Sequence, residues 1–208
     1  CALPIYLEPP IHYLDIPSGE TFNGWEVPNR WNLISASLLS PEGYELIDLK
    51  ISNLQVVIGS PSINLELNLE ELLKNIHTIP ELPEAIPYVT SYYSRSWGLC
   101  LPYKMVRELK PGVYRVRIVV DDSPGVMRLG EVLISGSNSN EVFFSTYFCH
   151  PQMANNELSG PATWIGLANY LWRRKQIRPL KHSYRFYIGP ETIGAIHYLR
   201  KNHVQMKS

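Results

Sequence analysis

No stretch of this 208-residue chain has the ~20 consecutive apolar residues that a membrane helix needs, because proline, asparagine or a charged residue interrupts every hydrophobic run. The chain therefore reads as soluble, with no membrane partner. Net charge is lacking too: nineteen Lys and Arg balance nineteen Asp and Glu. No overall field draws such a molecule to a phosphate backbone, so nucleic acid is not expected as a partner. Cysteine is scarce. Cys1, Cys100 and Cys149 make an odd count without regular spacing, which fits neither a disulfide framework nor a cysteine-paired zinc or redox module. A reducing, cytoplasmic setting fits best. There is no Gly-rich phosphate loop before a helix and no Gly-x-Ser-x-Gly nucleophile turn. Ser159 and Cys149 remain nominal nucleophiles, but Ser159 reads better as part of a helix start and Cys149, at the end of an apolar run, as strand packing. The first residue is Cys, and no basic segment with an apolar core follows it, so the expectation is a fragment or a processed chain.

What is present is the composition of a globular protein. Hydrophobic residues make up 45% and charged residues 18%, which excludes disorder and collagen-like repeats and allows one sizeable core or two small domains. Proline is dense, seventeen in all, and clusters before position 103, favouring short strands and loops there. Short alternating or apolar runs at 33–39, 45–51 and 54–58 predict a small β-rich module. Within it, Asn68 followed by Glu71 predicts a capping box opening a short helix through Leu69, Leu72, Leu73 and Ile76, ended by Pro80. The aromatic stretch 85–101 lacks a clean period and reads either as core packing or as a binding rim.

From Pro111 the texture changes. Alternation over 113–120, an Asp-Asp-Ser-Pro-Gly turn and the run 130–135 predict a hairpin. The nearly continuous apolar run 141–149 predicts a central parallel strand buried on both faces. A helix is expected over 161–175, opened by Pro161 and closed by Arg173, Arg174 and Lys175. A strand at 183–188 and a helix at 192–203 follow. A right-handed crossover sets the two strands parallel, with their carboxyl ends on one edge, where α/β sheets bind ligands.

Two polar groups of residues leave that edge: Cys149-His150-Pro151-Gln152-Met153-Ala154-Asn155-Asn156-Glu157 after the first strand and Gly189-Pro190-Glu191-Thr192 after the second. Imidazole and carboxylate are zinc's usual non-sulfur ligands, so His150 and Glu191 are candidate halves of a zinc site. The alternative is a hydrogen-bonded loop histidine and a glutamate capping the helix that follows.

CHPQMANNELSG, followed from Pro190 by PETIGAIHYL, together with upstream IPSG and AIPYVTSYYSRSWGLCL, closely resembles bacterial aminopeptidase-like proteins that carry a small inserted domain in a co-catalytic zinc-aminopeptidase fold. The resemblance covers almost the whole chain. It implies an α/β domain with a mixed, largely parallel sheet, built from residues 1–25 and 111–208, and an inserted β-rich domain at 26–110. In that family a histidine after a strand binds one zinc, an aspartate in a loop ending Ser-Gly bridges two zincs, and a Glu-Glu pair supplies base and ligand. His150 matches the histidine. Asn156 stands where the bridging aspartate would be, with Glu157 beside it as a substitute. Glu191 alone stands for the Glu-Glu pair, as ligand or base. Gln152 stands where an aspartate would orient the zinc histidine. The remaining ligands of the family lie beyond a point equivalent to Ser208, so the resemblance implies a chain truncated at its C-terminus. Its open sheet edge would be covered by a missing segment or a second copy. His12, His77, His182, His197 and His203 are structural or surface residues in this reading. The implied activity is zinc-dependent hydrolysis of an amide bond next to a free amino end, in a peptide-like or small amide substrate, with one or two zinc ions. The rival is a catalytically inactive binding or assembly module keeping the same fold.

Overall fold

The computed structural model describes residues 6–91, 93–150, 153–204 and 206. In chain order its elements are β1 His12–Pro17, β2 Thr21–Phe22, β3 Trp25–Glu26, β4 Arg30–Leu39, β5 Ile63–Asn68, α1 Leu69–Leu73, β6 Ile76–His77 and β7 Leu99–Cys100. There follow α2 Tyr103–Arg107, β8 Val113–Ser123, β9 Val126–Ile134, β10 Glu141–Tyr147, α3 Ala154–Ile177, β11 Ser183–Gly189 and α4 Ile193–Asn202. Contacts divide the chain into two compact units. The first joins the residues up to Val27 with those from Gly125 onward, and the second is the continuous stretch Pro28–Pro124.

The second unit is built on a three-stranded antiparallel sheet, order β4-β8-β5. Strand β8 alternates strictly at its start: Tyr114, Val116 and Ile118 are buried, while Val113, Arg115 and Arg117 face out. That period of two seats one face on a core with Leu38, Ile47, Val56, Leu72, Leu99 and Leu101. The capping box forms as read. Asn68 accepts from the Glu71 amide and Glu71 accepts from the Asn68 amide. The helix is shorter than expected, however, because Ile76 leaves it to pair with Leu99 in a small parallel ribbon.

Strand β8 also moves the unit boundary. It pairs with β4 and β5, and not with β9, so residues 113–123 belong with the stretch that precedes them. The expected hairpin of 113–120 with 130–135 does not form, and the chain re-enters the first unit at Gly125 rather than at 111. The turn signal was real, but each strand met a stronger partner: ten residues of β4 for β8, and β1 and β11 for β9.

The first unit holds a four-stranded mixed sheet, order β1-β9-β11-β10. The α/β class is as expected, but only β10–β11 is parallel, the other two contacts being antiparallel. Strand β10 was expected at the centre. It is an edge strand among the described residues, with Val142 and Phe143 exposed, as is Phe148 just past its end. Its nearly continuous apolar run reflects two half-covered faces rather than full burial. The central strand is β11. On one of its faces Phe186 packs with Val132, Ile134 and the α3 residues Trp164, Ala168 and Leu171. On the other, Tyr187 packs with Met127, Leu129 and Tyr198 of α4.

Helix α3 starts at Ala154, well before the expected Pro161, so Asn155-Asn156-Glu157 is its first turn and not a loop. The Glu157 amide donates to Met153 O at 3.1 Å and its carboxylate accepts from the Cys149 amide at 2.5 Å, tying the new turn to the strand end. Pro161 then lies inside the helix, where it costs one backbone bond. Gly160 lets α3 lie close on β10, since a Cβ there would collide with Thr146 Oγ1. Among the described residues, no helix is long and apolar enough to cross a membrane.

Candidate metal centre

Strands β10 and β11 run parallel in constant register, from Glu141↔Ser183 to Tyr147↔Gly189. The ladder goes one bond further, Phe148 N–H donating to Gly189 O at 3.1 Å. Carried two residues past the last pair, the same offset sets Cys149 against Glu191. The Glu191 amide donates to Cys149 Sγ at 3.4 Å, and His150 Nε2 lies 2.9 Å from Glu191 Oε2. One donor atom from each of Cys149, His150 and Glu191 falls within 4.8 Å of the others.

Local backbone holds this cluster. After Glu191 the chain turns in three residues: Thr192 has φ 58° and ψ −76°, and the Ile193 amide donates to Glu191 O at 2.7 Å. This is a γ-turn with positive φ on a β-branched residue, a conformation that costs ~1–3 kcal/mol and concentrates at functional positions. It lets α4 begin immediately after Glu191, so the carboxylate sits at the junction of strand and helix. On the other side, Tyr147 meets the His150 ring edge-on, centroids 6.4 Å apart.

The electrostatics are one-sided. Glu157 is only 2% exposed. One of its oxygens takes the Cys149 amide, while Oε1 is buried with no partner among the described residues. Burial pushes the Cys149 thiol up from its ordinary value; the Glu191 amide opposes it in part, and the Glu157 and Glu191 carboxylates each add a smaller upward push. Beneath, the buried Tyr187 hydroxyl also lacks a hydrogen-bond partner among the described residues.

A family of domains described as "Domain of unknown function (DUF4910)" matches residues 5–208. The chain belongs to this family. A curated relative from Clostridium acetobutylicum is 37% identical over 199 residues, 96% of this chain and 45% of that protein. Its provisional name is polysaccharide biosynthesis protein with aminopeptidase-like domain. A crystal structure from the same organism, provisionally called a peptidase, is 36% identical with a TM-score of 0.86, over 95% of this chain and 46% of that one. The DUF4910 chain thus spans less than half the length of these relatives. BSAP, a zinc aminopeptidase from Bacillus subtilis, is 12% identical with a TM-score of 0.54 over 94% of this chain and 55% of its own, a likeness of fold alone.

The predicted residues separate on this frame. His150 and Glu191 come together. Glu157 sits beside them, through Cys149, and Asn156 is exposed on the first turn of α3. Gln152 lies outside the described residues. Ser159, read as a helix start, is within α3, its hydroxyl donating to Asn155 O at 2.6 Å. Cys149 was read as strand packing, yet it lies past the end of β10, half-buried, inside the cluster. The signal that finds it is the register offset between the two strands, which needs only their alignment.

Zinc takes thiolate, imidazole and carboxylate donors. This donor set, with an orphaned buried carboxylate oxygen next to it, fits one such ion. No second group of three His, Cys, Asp or Glu side chains with donors this close occurs among the described residues.

Proposed function

We propose that this DUF4910 chain carries the zinc-binding part of an aminopeptidase-like hydrolase, acting on an amide bond next to a free amino end in a peptide or small amide. The observation that carries the reading is the convergence of His150 and Glu191 at the carboxyl ends of two parallel strands, 2.9 Å apart. Such edges are where α/β sheets bind ligands. Zinc, when bound, supplies Lewis-acid polarisation of the scissile carbonyl. In this reading His150 and Glu191 hold the ion. Glu157 is the neighbouring carboxylate, anchored through the Cys149 amide, and the strained Thr192 turn fixes where Glu191 points. Asn156, a neutral and exposed amide, takes no part, which favours one zinc over a bridged pair.

That same Asn156 supports the second reading, a catalytically inactive binding or assembly module in which Glu191 and His150 simply hydrogen-bond. Metal content separates the two. Purified full chain dialysed against zinc is expected to retain one zinc, and His150→Ala to lose it while keeping its far-ultraviolet circular dichroism. A zinc-free, self-associating wild type would instead select the binding or assembly module.

A further inference from the structure

We propose that Cys149 is itself a ligand of this cation, making the centre a sulfur–nitrogen–oxygen site of Cys149, His150 and Glu191. The inference rests on the zinc reading above and goes beyond it in the identity of the third donor.

Neighbouring residues in a strand point to opposite faces, so Cys149 and His150 would not share a ligand if β10 continued through them. It does not: the strand ends at Tyr147, and the irregular backbone that follows brings both side chains to Glu191. Ligands on a tetrahedral zinc lie roughly 3.3–3.7 Å apart, given bonds of about 2.0 Å to nitrogen or oxygen and 2.3 Å to sulfur. The three donors, all within 4.8 Å of one another, need only small side-chain rotations to meet that spacing.

A second observation is independent of the cysteine. Glu157 is 98% buried by its 2% exposure, and its Oε1 has no partner among the described residues. Its other oxygen holds the amide of Cys149 itself, so this carboxylate lies next to the cluster without being one of its three donors. Neither Glu157 nor Glu191 has an ion pair with Lys or Arg among the described residues. A buried carboxylate without a cation is costly. A divalent ion held by the cluster would lie near the buried Glu157 carboxylate and lower that cost, and Cys149 Sγ is the soft donor of the cluster. Sulfur makes the site selective for borderline-soft ions such as zinc and cobalt over magnesium, calcium or manganese.

The test is optical. Full chain stripped of metal by chelator is titrated with Co²⁺ alone, and bound cobalt is counted in parallel by elemental analysis. The expected result is one cobalt per chain with an intense near-ultraviolet sulfur-to-cobalt charge-transfer band. The band should vanish in Cys149→Ser with cobalt bound at least ~10-fold more weakly, and persist in Cys1→Ser and Cys100→Ser. Bound cobalt without that band in the wild type overturns the cysteine ligand and leaves the zinc reading standing. The band surviving in Cys149→Ser likewise overturns it. No cobalt bound at all overturns both. The wild-type spectrum decides even if the serine variant fails to fold.

Discussion

In the Pro28–Pro124 unit, buried polar side chains close on partners nearby in the chain. Ser60 Oγ donates to Val57 O at 2.6 Å, Ser91 Oγ to Ser96 O at 2.7 Å, and Gln55 Oε1 accepts from the Asp48 amide at 2.9 Å. Thr78 Oγ1 is its one buried orphan among the described residues. The unit around the mixed sheet differs. Glu157 Oε1, Trp164 Nε1, His182 Nδ1, Tyr187 OH and His197 Nε2 are all buried there without partners among the described residues. It also holds the guanidinium of Arg185, 10% exposed, between Glu131 and Glu141. A protein that satisfies one core and leaves another polar and strained is keeping the second for work. The Thr192 turn, beside Glu191, belongs to the same pattern.

The comparison can be broken from either side. The largest effect is expected from the satisfied core: Leu38, fully buried, should cost about 2–5 kcal/mol of stability when changed to Ala, measured by urea unfolding. Its metal content should not change. Zinc lost in this folded variant would mean that the two units do not divide structure from chemistry as argued.

A smaller effect probes the ionic side. Hydrogen bonds from Arg185, at 2.6 and 2.8 Å, hold the Glu141 carboxyl below the usual carboxylate range. A depressed folded value gives stability that is full above the unfolded value of about 4.3 and lost as pH falls through the lower folded one. Glu141→Gln should therefore cost about 0.5–1 kcal/mol at neutral pH, the half-exposed carboxylate being partly screened by solvent and Glu131 retaining Arg185, and the difference from wild type should shrink below about pH 4. Glu66→Gln in the other unit is the matched control, because its pair with Arg115 at 3.6 Å is exposed on both sides and should matter little. Equal losses in the two variants would erase the contrast.

Much of this was legible in the residues, for local reasons. The capping box at Asn68 depends on two residues three apart, and it formed. The parallel pair 141–147 and 183–189 followed from strand, helix, strand order and the handedness of crossovers. Long-range choices were not legible. Whether β8 pairs with β9 or with β4 is decided by the competition of strands far apart in the chain, as Arg30↔Ser123, 93 residues apart, illustrates. The centrality of β10 failed for a related reason, since an apolar run does not say what covers it. Pro161 pointed to a helix start, but the tie between Glu157 and Cys149 pulled the start back to Ala154. His150 and Glu191 could be found because each ends a recognisable strand. Cys149 could not until register set it opposite Glu191.

The most direct measurement of the account is amide hydrogen exchange of the full chain with and without zinc, read peptide by peptide. Zinc is predicted to slow exchange around Cys149–His150, in the first turn of α3 and around Glu191–Ile193, with Pro28–Pro124 unchanged. Unaltered exchange at those segments, or slowing of equal size in the second unit, would contradict it.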